Sequence, residues 1–335
     1  MTRLKHFMAA CAVAAVVSAA GSTAQAACAG VTIDAAFAAD YACNDLGSAP
    51  GVPANYGGVT FLNNNTLLLG GAANGASGAI YSMGVTRDVD GHIVGLGEAT
   101  LFATAPNIDG GLAFGPDGVL FATGYSNNTL LQFAPGASSP GKIISLSSLG
   151  VASSVGALQF VPTGFDGAGG MKLASYNAGI FYDVSLTPDG GGFFDVSVNS
   201  SVFIGGGPEG LVYVSGNNTG FGADSLMVSE YSTGQVGIWD IDANGNPVLG
   251  TRRTFLSGLS GAEGAVIDPV TGDFIFSTFG GGNRVLVLSG FEAPVQPPTG
   301  AIPEPSVWAM LILGFGAAGT ALRSRRRKLM ACAAH

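Results

Sequence analysis

The chain has 335 residues with 54 glycines, 47% apolar and only 10% charged residues, and a formal net charge of −9. That composition excludes a disordered chain, which would lack the apolar content, and a helical bundle, which glycine at this density would break. The negative balance also excludes a basic nucleic-acid-binding surface, since phosphate contacts need Lys and Arg.

Residues 1–26 read as a secretory signal. Arg3 and Lys5 precede an apolar stretch from Phe7 to Ala20, and Ala24-Gln25-Ala26 closes it, so cleavage is expected between Ala26 and Ala27 by signal peptidase after passage through the Sec machinery. Of the four cysteines, Cys11 leaves with the signal and Cys332 lies in the C-terminal tail. Cys28 and Cys43 remain in an oxidising compartment, where a disulfide between them is expected.

Residues 27–291 repeat one pattern. In the clearest copy, Asp109 to Leu149, four short apolar runs are separated by Gly115-Pro116-Asp117-Gly118, Ser126-Asn127-Asn128 and a Pro/Gly/Ser turn, which reads as a four-stranded antiparallel meander. The residue before each opening run is Gly58, Gly111, Ala157, Gly210 or Gly264, at steps of 53, 46, 53 and 54. Five copies at a period near fifty predict an all-β fold, a β-propeller of five four-stranded blades, with six as the rival count. The fifth copy offers only Ala265 to Ile267, Phe274 to Thr278 and Arg284 to Leu288. The run Tyr41 to Leu46 supplies the missing strand, so the N-terminal segment is expected to pair beside Arg284 to Leu288 and close the ring.

A Pro-rich linker, 292–302, follows. Pro303-Glu304-Pro305 then precedes an uncharged, mostly apolar stretch at 306–322, expected to be a transmembrane helix near the short limit for a span. The basic cluster after it, with Arg325, Arg326 and Arg327, should stay cytoplasmic, and a tail at 329–335 ends the chain. Pro303-Glu304-Pro305, Trp308-Ala309, the apolar span and the basic run up to Lys328 resemble the PEP-CTERM sorting signal in its PEPxxWA form, placed here at 303–328. The resemblance implies an exosortase that acts near the Pro-Glu-Pro motif on an inner-membrane-anchored precursor. It also implies a mature product in the periplasm, at the cell surface or outside the cell, in an exopolysaccharide or biofilm matrix.

Setting both ends aside changes the charge. Two of the 13 basic residues lie in the signal and five near the C-terminus, and of the 22 acidic residues only Glu304 is lost. The exported part keeps six basic against 21 acidic residues, close to −15. Such a surface repels nucleic acid and suits divalent cations better than phosphate.

Gly207-Pro208-Glu209-Gly210, Ala262-Glu263-Gly264, Asp268-Pro269-Val270-Thr271-Gly272-Asp273 and Gly282-Asn283-Arg284-Val285 resemble NHL-type and gluconolactonase-like propellers. In the latter, a Glu before Gly in an opening strand ligates a metal, which implies Glu209 or Glu263 for that role. Asp109, Glu209 and Glu263 all precede opening strands and should gather at one channel mouth, where Asn283 or Asn127 could add oxygens. An all-oxygen set of this kind suits Ca²⁺, the one cofactor the sequence offers. The commoner role for such acids is to cap loop amides of a neighbouring blade. Asp240, Asp242, Asn244 and Gly245 open like a calcium loop, but position twelve is Thr251, so a hairpin turn is expected. His92, the only histidine of the exported part, is expected to be a solvated turn residue, and no Ser-His-Asp set or phosphate loop can be assembled.

The sequence thus predicts an exported, non-catalytic binding or structural propeller of surface or matrix, whose partners are polysaccharide or surface proteins. A calcium-dependent hydrolase of the gluconolactonase kind, using Asp109, Glu209 and Glu263, is the alternative.

Overall fold

A computed structural model describes residues 26–294. Through Ala293 they belong to one compact unit. The body of the predicted signal, most of the linker, the apolar span and the basic tail lie outside the described residues. Among the described residues no helix is long and apolar enough to cross a membrane.

Five antiparallel sheets form, one for each predicted repeat. Blade 1 comprises Val59–Asn63, Thr66–Gly71, Ala79–Arg87 and an outer strand broken into Ile93–Leu96 and Thr100–Thr104. Blade 2 comprises Ile108–Phe114, Leu120–Gly124, Thr129–Phe133 and Lys142–Ser145. Blade 3 comprises Val155–Phe160, Met171–Ser175, Ile180–Pro188 and Phe194–Phe203. Blade 4 is built from Pro208–Val214, Ser225–Glu230, Gln235–Asp240 and Arg253–Ser257, and blade 5 from Ala262–Ile267, Phe274–Thr278 and Val285–Ser289.

Local chemistry sets the turns. In the outer hairpins of blades 1, 3 and 4 one aspartate oxygen accepts two backbone N–H groups: Asp88 from Asp90 and His92, Asp189 from Gly191 and Phe193, Asp242 from Asn244 and Asn246. This side-chain mimic of a backbone turn fixes each hairpin without help from the neighbouring blade.

The ring closes as the sequence predicts. Ala42–Asp45 pairs antiparallel with Val285–Ser289, in the register Cys43 opposite Leu288 and Asp45 opposite Leu286. Arg284 bonds the Asp45 carboxylate beside that pairing. The N-terminal segment does more than the sequence indicated, because Thr32–Ile33 pairs with Arg253–Ser257 and gives blade 4 a fifth strand. One short segment therefore straps two blades. Between its two pairings Phe37 and Tyr41 pack with Phe221, Phe255 and Phe291, ring centroids 4.7–6.2 Å apart. The Cys28–Cys43 disulfide pins the segment, with Cα atoms 5.5 Å apart.

Each of five apolar clusters lies mainly between two consecutive blades. The one that closes the ring joins Val59, Leu67, Leu69 and Met83 of blade 1 to Ile275, Val285 and Val287 of blade 5. On its flank Arg87 donates to both oxygens of the buried Asp268, at 2.6 and 2.9 Å. Asp268 also accepts from the Val270 N–H and the Thr271 hydroxyl, so the cost of burying that charge is met by a full set of hydrogen bonds.

Replacing both Cys28 and Cys43 by Ala should lower unfolding stability by about 3 kcal/mol, the loop-closure value for a loop of this length. Urea unfolding of parent and variant, each with and without reductant, checks this; reductant should affect only the parent.

Candidate functional site

The opening strand of each blade faces the axis, and in blades 2 to 5 that strand leaves its ladder at the same level. The pairing skips Asp109 to Gly111, Gly156, Glu209, and Glu263 with Gly264. A bulge re-aims the side chain of the skipped residue, and here it turns three carboxylates inward. Glycines let the strands meet. A Cβ on Gly264 would lie 2.5 Å from Gly58 Cα and 2.8 Å from the Gly110 carbonyl, and one on Gly156 would lie 2.2 Å from Glu209 Oε2. Hydroxyls from second strands tie neighbouring blades at this level: Thr123 donates to the Gly156 carbonyl at 2.7 Å and Ser277 to the Gly57 carbonyl at 2.6 Å.

Asp109, Glu209 and Glu263 converge, with one oxygen of each within 4.8 Å of the others. Their exposures are 0%, 3% and 1%. Both Asp109 oxygens, Glu209 Oε2 and Glu263 Oε1 are buried without a hydrogen-bond partner. Burial above all pushes the Asp109 carboxyl up to about 8, against the moderating pull of Glu263, the Asn74 amide and the Gly110 N–H. Burial first, then the charge of Asp109, holds Glu209 well above its ordinary range. Burial, then the charges of Glu209 and Asp109, does the same to Glu263. Three desolvated carboxyls this close cannot all ionise unless a cation joins them.

Beside the trio stands a residue the sequence did not single out. Asn74 of blade 1, in left-handed backbone at φ 63°, stands beside Asp109 with its side-chain oxygen buried and unpartnered. The asparagines named from the sequence are engaged elsewhere, since Asn283 Oδ1 accepts the Asn55 N–H and Asn127 Oδ1 accepts from Thr129.

Above the acids stands an aromatic collar that sequence reading missed. Tyr125, Tyr176, Tyr231 and Phe279 are each the first residue after the second strand of blades 2, 3, 4 and 5. Each N–H bonds the carbonyl just before that blade's opening strand, those of Asn107, Ser154, Gly207 and Gly261, at 2.7–3.0 Å. Neighbouring rings meet mostly edge to face, with centroids 6.4, 5.6 and 6.4 Å apart around the arc. The Tyr125 and Tyr231 hydroxyls titrate high, by burial first and then through the charges of the nearby acids, Asp109 for Tyr125 and Glu263 for Tyr231. Blade 1 carries Ala72-Ala73-Asn74 at the matching place, so the arc is notched there. The detectable signal is one aromatic at the same phase of four repeats.

Two other features find different roles. Lys172, buried in blade 3, donates to Asp183, to the Asn244 carbonyl at 2.8 Å and to Asn246 Oδ1 at 2.8 Å. The oxygens of the calcium-like loop thus serve an ammonium, and the loop is a hairpin turn. A cleft of about 500 Å³ opens there, around Lys172, Asp183 and Asn199, toward the end of the strand remote from Tyr176. The donors of its lysine are saturated, so the chemistry lies with the trio. His92 is not simply solvated: its Nδ1 lies 2.7 Å from Oδ2 of the buried Asp273, and its side chain is 35% exposed. This pair clips the outer hairpin of blade 1 to blade 5.

Two outcomes follow from this geometry. Gly156→Ala should cost about 1–3 kcal/mol in urea unfolding, because its methyl group collides with the Glu209 carboxyl. For His92, burial alone would lower the pKa, but the hydrogen bond and charge of Asp273, with Asp88 and Asp90, raise it. A raised folded value means the clip stabilises fully below the unfolded pKa of about 6.5 and fades as pH rises through the folded value. Between about pH 6 and 8 the parent should therefore lose more Tm than His92→Gln.

No curated protein matches the sequence. Among solved structures, a protein from Bacteroides uniformis ATCC 8492 described as a candidate 6-phosphogluconolactonase aligns at 15% identity and TM-score 0.38, over 64% of this chain and 61% of its own length. The PQQ-bound aldose sugar dehydrogenase of Streptomyces coelicolor aligns at 15% identity and TM-score 0.40, over 73% of this chain and 83% of its own. The glutaminyl cyclase of Myxococcus xanthus aligns at 12% and 0.45, over 77% and 95%. Residues 301–327 match the family model described as the PEP-CTERM protein-sorting motif, so the chain is an exosortase-sorted, exported precursor that carries a five-bladed β-propeller.

Proposed function

We propose that the mature protein is a non-catalytic binding or structural component of the cell surface or exopolysaccharide matrix, and that Asp109, Glu209 and Glu263 hold a divalent cation in its channel. One observation carries the cation. All six basic residues of the described domain are committed to other acids: Arg87 to Asp268, Lys142 to Asp189 and Asp195, Lys172 to Asp183, Arg252 to Glu230, Arg253 to Asp240 and Arg284 to Asp45. The trio therefore has no basic side chain paired with it among the described residues, and four of its six carboxylate oxygens are buried without a well-formed hydrogen bond. Three carboxylates form a hard, all-oxygen donor set, which Ca²⁺ suits best among common divalent ions. The surface role is supported by the sorting motif. Exosortase and the Sec machinery handle the precursor, and polysaccharide or surface proteins would bind the broad faces.

A calcium-dependent hydrolase is the second reading. It is favoured by the convergence of three carboxylates on one point, since a bound ion there could polarise a substrate oxygen.

Calorimetric titration of the chelator-treated chain with Ca²⁺ tests the site. The parent should bind one equivalent, while Glu209→Gln and Glu263→Gln should bind none. Neither variant should melt lower than the parent in chelator, because each removes an unpaired buried carboxyl. Turnover of a lactone or phosphoester that needs the bound ion would select the hydrolase, and its absence in the calcium-loaded protein would select the binding role.

A further inference from the structure

We propose that the collar of Tyr125, Tyr176, Tyr231 and Phe279 binds an alkylammonium group, of the kind found on an amino sugar or a choline head, above the carboxylate trio. The rings come from equivalent positions in four consecutive blades, so they form an arc and not a chance contact. They are only partly buried while the acids are almost fully so, which sets the rings nearer solvent than the charge. The fifth position holds the small, half-buried Ala72, so the arc carries no ring there.

The charge of the site selects the ligand. An anion has no basic side chain to meet it, since all six are paired elsewhere, and the exported part carries 21 acidic residues against those six. A neutral ring would gain contact area but nothing from the field. A cationic head gains both, because aromatic faces attract cations and the effect grows where water is excluded. A divalent ion balances two of the three carboxylate charges and leaves one for the ligand. The inference rests on the calcium reading for the size of that residual charge, and not for the rings.

The test uses the full chain in a non-ionic detergent, saturated with Ca²⁺, and calorimetric titration with two matched pairs: choline against 3,3-dimethylbutan-1-ol, and glucosamine against N-acetylglucosamine. The charged member of at least one pair should bind roughly tenfold more tightly than its uncharged partner. Which pair responds identifies the source of the ammonium group. Tyr176→Leu, which keeps apolar volume, should weaken that binding roughly tenfold, and Tyr176→Phe, which keeps the ring, should leave it unchanged. Equal binding within both pairs, no binding of any probe, or an unaffected Tyr176→Leu overturns the inference. A Ca²⁺ titration of the same sample separates the two readings. Calcium binding without ammonium preference sinks only the collar, and ammonium preference without calcium binding sinks only the calcium site.

Discussion

Every sheet in this protein is apolar on both faces, and that constraint governs the rest. Such a sheet is stable only when each face is covered, so each blade must lie against the next and the last against the first. The cluster joining blades 1 and 5 meets this condition, and the strand Ala42–Asp45 completes the blade that would otherwise end with an open edge. Closing five blades also fixes the centre. The opening strands come so close that glycine is needed where they cross, and whatever side chains their bulges turn inward are forced into one small space.

The electrostatic arrangement follows from how few cations the domain owns. Its basic residues serve as clips at the periphery. Arg87 joins blades 1 and 5, Lys142 joins blades 2 and 3, and Lys172 joins blade 3 to the outer turn of blade 4. Each clip works because the buried charge finds a complete set of partners, whereas an isolated ion in the interior would cost several kcal/mol. The centre receives acids alone. Periphery and centre thus divide the charges between them, the cations holding neighbouring blades together and the three acids meeting at the centre.

Much of this was legible in the sequence, and the misses have physical causes. Glycines and Pro/Asp-Gly turns at a regular period gave the blade count, and the truncated fifth repeat pointed to the closing strand, because both depend on local chemistry and on counting. Thr32–Ile33 could not be found this way: two residues have no alternation to detect, and their pairing with Leu256 and Ser257 is wholly tertiary. Asp109, Glu209 and Glu263 were placed by their position before opening strands. That they lack partners was not readable, since it depends on where six distant cations went. Asn74 was hidden because its repeat departs from the others at that point, and the collar because an aromatic after a strand is ordinary in one blade and informative only across four. The His92 pairing joins residues 181 positions apart, beyond any local pattern.

The strap that closes the ring has a consequence for how the fold is reached. Its two strands lie within the first residues of the exported domain, while their partners, Arg253–Ser257 and Val285–Ser289, are among the last. Asp45 and Leu286 pair across some 240 positions of chain, so closing the ring is a long-range step whose entropic cost precedes its contacts. In a chain delivered from its N-terminus, Thr32–Ile33 can pair once blade 4 has emerged, whereas Ala42–Asp45 has no partner until Val285–Ser289 of blade 5 appears. Completion of the ring is then a check on complete delivery, reached only when the segment that carries the sorting motif is the next to appear.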